Sequence, residues 1–126
     1  MQKAAYVRMY ADSKGESHFE DVEVEMQPVD FAPPAAPLNI VPLFPAVQTL
    51  LVGESSGWGG DVPHPAPQRQ VFITTQGEFE VTVSDGEVRR FPVGSVLLLE
   101  DTTGKGHSTR IIGDSEAVVF GVTLGE

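Results

Sequence analysis

Three side chains in the second half of the chain could do chemistry together: His64, Gln70 and His107. Imidazole nitrogens and carboxamide oxygens can bind a divalent cation, and they can equally form the hydrogen-bonding wall of a ligand pocket. The chain has no cysteine, so thiolate chemistry is excluded and any metal must be held by nitrogen and oxygen ligands. Neither a Ser-His-Asp order nor a nucleophile elbow is present, which argues against hydrolysis through a covalent nucleophile.

The elements that must position these residues are β-strands. Alternation of apolar and polar residues predicts strands at 19–26, 47–52, 70–75, 78–83, 88–91, 95–100, 107–112 and 117–124. Asp85-Gly86 is typical of a two-residue hairpin turn, and turn signals recur about every ten residues. We therefore expect an all-β sandwich or barrel, in which Gln70, Phe72 and Thr74 face the interior together.

The spacing of the candidate residues resembles the two signature motifs of the cupin superfamily. His64-Pro65-Ala66 stands at the His-x-His position of the first motif, Gln70 at that of its glutamate and Gly77 at that of its last glycine. Residues 102–107, TTGKGH, keep the glycine and the histidine of the second motif and replace its proline. The resemblance implies a cupin double-stranded β-helix, that is, a jelly-roll barrel, which fits the spacing better than an immunoglobulin-like sandwich or a lipocalin barrel.

The resemblance also implies a metal site. In cupins the corresponding positions hold three histidines and a glutamate around iron, manganese, nickel or zinc. Here His64, Gln70 and His107 would be the ligands, and Ala66 occupies the position of the remaining histidine. Gln brings no charge to offset the desolvation of a cation, so a divalent metal would be held more weakly than in the family. The candidates for the missing ligand are water, Gln68 and Glu100.

The same positions define a candidate ligand pocket. Trp58, in a glycine-rich loop at the expected barrel mouth, could cover a ligand or pack under the loop. Glu100-Asp101 resembles a small insertion at the barrel rim. His18, Arg69 and Arg110 are expected to face solvent or a neighbouring subunit. The expected pocket residues are Trp58, His64, Gln68, Gln70, Phe72 and His107.

Length and charge limit the possible functions. A chain of 126 residues accommodates one domain, divided here into N-terminal strands at 1–26, a proline-rich arm at 27–45 and a barrel at 46–126. The net charge of −10 argues against nucleic acid as a partner. No apolar run is long enough for a membrane helix, and the N-terminal residues lack a signal-like apolar core, so we expect a cytoplasmic protein. The apolar arm suits a homodimer contact.

Two functions of different class remain open. The first is a small-molecule-binding cupin whose pocket recognises a compact metabolite without redox chemistry. The second is a metal-dependent enzyme, a dioxygenase or an isomerase, that uses the ligands implied above. A third possibility is an interaction module whose barrel is filled by its own side chains, for which the bulky candidates are Phe72, Phe79, Phe91 and Phe120.

Overall fold

A computed structural model describes residues 1–125, and within them the chain is all-β, as the alternation predicts. Eleven strands account for the regular structure of this part of the chain. They are β1 (Lys3–Ala11), β2 (Ser17–Glu25), β3 (Gln27–Val29), β4 (Leu38–Ile40), β5 (Ala46–Glu54), β6 (Gln70–Gln76), β7 (Phe79–Val83), β8 (Val88–Phe91), β9 (Val96–Glu100), β10 (His107–Ile111) and β11 (Ala117–Leu124).

The larger sheet has six strands in the order β2-β1-β9-β6-β11-β5. Strands β1 and β2 form an antiparallel hairpin, with Met9 opposite Phe19. Strand β1 also pairs with β9 in parallel, with Val7 opposite Leu97, so the N-terminal strands are part of the main sheet. Strand β6 lies antiparallel to both β9 and β11 and begins at Gln70, opposite Leu99. The candidate residue Gln70 therefore starts a central strand.

The smaller sheet has the order β10-β7-β8 and places His107 at the start of β10, opposite Val83. A hairpin joins β7 and β8, as the sequence predicts, but the expected two-residue turn is wrong. The N–H of Val83 donates to the carbonyl of Glu87 at 3.1 Å, so three residues form the loop, and Asp85 does not have a positive φ. Gly86 there has a φ of 99°, which a glycine adopts without steric cost, and its backbone N–H donates to the carbonyl of Val83 at 3.0 Å.

The hydrophobic core lies where the two sheets face each other. Alternation along β7 buries Val81 and Val83, and the same rule turns Leu97 and Leu99 inward from β9. Their interior neighbours from the other strands are Met9, Phe19, Ala66 and Phe91. Buried apolar area supplies the main stabilisation of such a sandwich, at about 25 cal/mol per Å².

The proline-rich segment differs from the expected extended arm. Strands β3 and β4 pair as a short hairpin, with Val29 opposite Leu38, and the connection contains a cis Pro33-Pro34 bond. Its tip is exposed, and 65% of Phe31 is accessible to solvent. Beyond the hairpin the chain returns to the large sheet, where the ring of Phe44 lies 5.2 Å from the guanidinium of Arg69.

In residues 1–125 there is no helix that could cross a membrane.

Candidate ligand-binding site

A cavity of about 200 Å³ opens between the two sheets. Its wall is mainly apolar, and its polar residues include two histidines, one glutamine, one glutamate and three residues with hydroxyl groups. Lysine and arginine do not contribute to the wall within the described part of the chain. Residues of the wall include Glu54, Trp58, His64, Ala66, Gln70, Phe72, Phe79, Phe91, His107 and Val119.

The backbone holds His64 and His107 side by side. The N–H of each residue donates to the carbonyl of the other, both at 3.0 Å, which forms an isolated antiparallel bridge. Gly106 permits this approach: its φ is 71°, and a Cβ at that position would collide with the backbone of His64. The two rings lie 5.1 Å apart between centroids and are tilted by 48°.

His107 forms a buried pair with Asp101. Its Nδ1 lies 2.5 Å from Oδ2 of Asp101, and the side chains are 8% and 0% exposed. The other carboxyl oxygen, Oδ1, is the only buried side-chain oxygen or nitrogen without a hydrogen-bond partner in residues 1–125. The sequence interpretation missed this partner. The signal was present in the sequence: Leu97 and Leu99 face the interior, and the same alternation of two predicts that Asp101 also faces inward.

His64 is oriented by a different kind of group. Its Nδ1 lies 3.0 Å from the carbonyl oxygen of Val62. A carbonyl only accepts, so Nδ1 of His64 carries the hydrogen and donates it. The Nε2 atoms of both histidines are left for contacts in the cavity, because each Nδ1 already has a partner within the protein.

The structure brings five of the six expected pocket residues to the cavity: Trp58, His64, Gln70, Phe72 and His107. Gln70 is 7% exposed, whereas Trp58 is 41% exposed and lies at the mouth, packed over Gly60. Gln68 is the exception, because it precedes β6, is exposed and does not line the cavity.

Glu100, a candidate for the missing metal ligand, faces away from the cavity. It accepts hydrogen bonds from Nε of Arg8 at 2.5 Å and from Nε of Arg69 at 2.7 Å. Burial raises the pKa of Glu100, but the hydrogen bonds from the two arginines outweigh it and hold the pKa below its usual range. Glu100 is therefore an ion-pair residue of the outer sheet face, and Arg69, expected to point outward, is its partner.

The four phenylalanines that could fill the barrel do not close the cavity. Phe72, Phe79 and Phe91 contribute to its wall, and the space remains between them. Phe120 points the other way and is 37% exposed on the outer face.

The donor set falls short of the one that the cupin resemblance implies. Two imidazoles and the carboxamide of Gln70 line the cavity, but the third imidazole of the cupin set is replaced by Ala66 and its glutamate by Gln70. The carboxylate residue of the lining is Glu54, from β5. Within the described residues, no three side chains among His, Asp and Glu are grouped so that they could hold a metal ion. The residues at the cavity therefore do not supply the complete ligand set of a cupin metal site.

His18 lies at the surface, as expected, and does not line the cavity. Its Nε2 and Nδ1 each lie 2.7 Å from a carboxylate oxygen, of Asp12 and Asp85 respectively. The hydrogen bond to Asp12, followed by that to Asp85, raises the pKa of His18.

The sequence matches no family model and none of the curated proteins.

Proposed function

We propose that this chain is a single-domain, cupin-like protein that binds a compact small molecule in the cavity between its sheets. The proposal depends chiefly on the cavity itself, a mainly apolar space of about 200 Å³ whose wall includes the side chains of His64, Gln70 and His107. Mostly apolar pockets with a few placed polar groups are typical of small-molecule sites. The jelly-roll assignment is part of the proposal, and it is supported by two facing sheets and by the contact between His64 and His107.

Filling the cavity tests this function. Val119 is buried on the cavity wall, whereas Val118 precedes it on β11 and faces the other side of the sheet. We expect Val119→Phe to abolish binding of small apolar ligands, and Val118→Phe, the matched control, to leave it unchanged. A fragment screen read by the fluorescence of Trp58, the only tryptophan, supplies the ligands. Equal binding by both variants would place the ligand elsewhere.

A metal-dependent enzyme is a second candidate, and one observation favours it. The Nδ1 atoms of His64 and His107 are held by an oxygen acceptor, a pattern that orients metal-bound histidines in many proteins. A divalent metal bound there would supply Lewis-acid or oxygen-activating chemistry. Elemental analysis of protein purified without chelator or nickel resin tests this candidate. Near-stoichiometric metal that disappears in a His64→Ala/His107→Ala variant would support it.

The carboxamide offers a second test of the metal candidate. If Gln70 occupies a ligand position, Gln70→Glu adds the charge that a cation needs and strengthens binding of divalent metal. Unchanged metal affinity and unchanged thermal stability in added metal would contradict a ligand role for Gln70.

We also propose a homodimer through the outer face of the large sheet. Phe120 of β11 lies opposite Leu51 of β5, and Val47 shares their side of the sheet. Val47 and Leu51 are 72% and 71% exposed, which is unusual for neighbouring apolar residues on a sheet. Light scattering at micromolar concentration should show a dimer that Leu51→Glu disrupts and Val88→Glu, a change at an exposed site on the small sheet, does not.

A further inference from the structure

A loop joins the edges of the two sheets and carries an aromatic ring at the mouth of the cavity. Strand β5 is an edge strand of the large sheet and ends at Glu54. Farther along the loop, the carbonyl of Gly60 accepts a hydrogen bond at 2.8 Å from the N–H of Thr109 on β10, an edge strand of the small sheet. The loop at 55–60 therefore spans the gap between the two edges, and Trp58 lies within it.

The alternation of β5 directs Glu54 toward the cavity. Val52 lies two residues before it, on the same side of the strand, and pairs with Val119, which is buried on the cavity wall. Glu54 pairs with Ala117, which is fully buried, and it lines the cavity while remaining exposed. Among the residues that the structure describes, Glu54 is the one acidic residue of the wall, and the wall contains no lysine or arginine.

Hydrogen bonds link this carboxylate to the loop that holds the indole. Oε1 of Glu54 accepts from the N–H of Ser55 at 3.3 Å, and the carbonyl of Ser55 accepts from the N–H of Trp58, also at 3.3 Å. The indole packs against Gly60, where an added Cβ would collide with the ring. Trp58 nevertheless lines the cavity and stays partly exposed, so a ligand at the mouth can contact it.

A carboxylate and an indole at one mouth favour a positively charged group. Indole is the aromatic side chain that attracts a cation most strongly over its face. A carboxylate at the same place adds a direct charge attraction. An anionic ligand would lose hydration at this wall without meeting a lysine or an arginine. The net charge of −10 attracts cations and repels anions at longer range as well.

We propose that the ligand is an organic amine, with its compact apolar body in the cavity and its positively charged nitrogen at the mouth, near Glu54 and Trp58. This inference rests on the proposed binding function and names the chemical class of the ligand. The apolar wall surrounds the body of the molecule, and the carboxylate of Glu54 offsets the charge of its nitrogen.

Three molecules of similar size and different charge test the inference. Benzylamine is a cation at neutral pH, benzyl alcohol is uncharged and benzoate is an anion. Calorimetry at neutral pH and low salt measures their affinities for the wild-type protein. We expect benzylamine to bind about three- to tenfold more tightly than benzyl alcohol, and benzoate to bind most weakly of the three.

Variants locate the origin of this preference. Glu54→Gln removes the charge and keeps the size of the side chain, so the preference for benzylamine should fall below about twofold while the affinity for benzyl alcohol is unchanged. Glu116→Gln is the matched control, because Glu116 is exposed just before β11 and does not line the cavity. It removes the same charge and should keep the full preference. Trp58→Leu should reduce the preference, and Val119→Phe, which fills the cavity, should abolish binding of benzylamine.

The outcomes separate the inference from the function. Equal affinities for the three molecules, or tightest binding of benzoate, would overturn the inference and leave the binding function standing. Equal loss of preference in Glu54→Gln and Glu116→Gln would overturn it too, since the overall charge would then select the cation. If none of the three binds at millimolar concentration while the fragment screen finds other ligands of the cavity, only the inference fails. If the screen also finds none, the proposed function and the inference fail together.

Discussion

Replacing His107 with phenylalanine would leave the carboxyl group of Asp101 buried without its one side-chain partner. The side chain of Asp101 is 0% exposed, so water cannot replace the imidazole as its hydrogen-bond partner unless the surrounding structure moves. Removing one member of such a pair typically costs about 3–5 kcal/mol. Domains of this size are stable by about 5–15 kcal/mol, so we expect His107→Phe to lose at least about a fifth of the folding free energy.

Urea denaturation followed by circular dichroism measures this loss. At a slope of about 1–3 kcal/mol per molar urea, the midpoint should fall by roughly 2 M. Asp101→Leu/His107→Phe removes both polar partners and should return to within about 1 kcal/mol of the wild type. If the costs of the two single substitutions simply add in the double variant, Asp101 and His107 do not form a coupled buried pair.

Two further predictions concern a surface histidine and a glycine at the site. The pKa of His18 is raised, chiefly by its hydrogen bond to Asp12 and then by that to Asp85. The protonated ring therefore stabilises the fold fully below the unfolded pKa of about 6.5, and this contribution is lost as the pH rises through the higher folded pKa. The thermal midpoint of His18→Gln, measured across this range, should lack the loss. Gly106→Ala should lower the free energy of unfolding by more than about 2 kcal/mol in urea denaturation, because it combines a positive φ with a backbone collision. The control is Gly57→Ala, where φ is 87° and no atom lies within 4 Å of the added Cβ. It should cost only the backbone strain of about 1–2 kcal/mol. Equal costs for the two alanines would show that the close approach at Gly106 is unimportant.

Much of the sheet could be predicted because local alternation is visible in the sequence. Phe79, Val81 and Val83 face the interior as their spacing of two predicts, and strands 88–91 and 117–124 have the expected bounds. Strand β1 was harder to predict, because Lys3 and Arg8 interrupt its apolar pattern. Its parallel partner, β9, also lies far away in the sequence. The hairpin at 27–40 was missed because prolines indicate where regular strands are interrupted and not which short segments pair across them.

Residues of the site could be predicted only where they belong to a recognisable motif or to an alternating strand. The resemblance brought His64 and His107 together in advance, whereas Asp101 was interpreted as part of a rim insertion. Gln68 was expected in the pocket because it lies two residues before Gln70. It does not line the cavity, because β6 begins at Gln70 and the alternation of the strand does not extend back to residue 68. The partner that holds Nδ1 of each imidazole is set by tertiary structure, and no local sequence pattern predicts it.

The parallel pairing of β1 with β9 has a consequence for how the chain folds. Met9 lies opposite Leu99, so the N-terminal hairpin cannot complete its sheet until β9, about 90 residues further along the chain, has been synthesised. Pairings between such distant segments must overcome a large loop-closure entropy, and proteins rich in them fold over milliseconds to seconds. Asp101 and His107 follow β9 directly in the chain. The Asp101–His107 pair and the closure of the large sheet should therefore form in the same late step of folding.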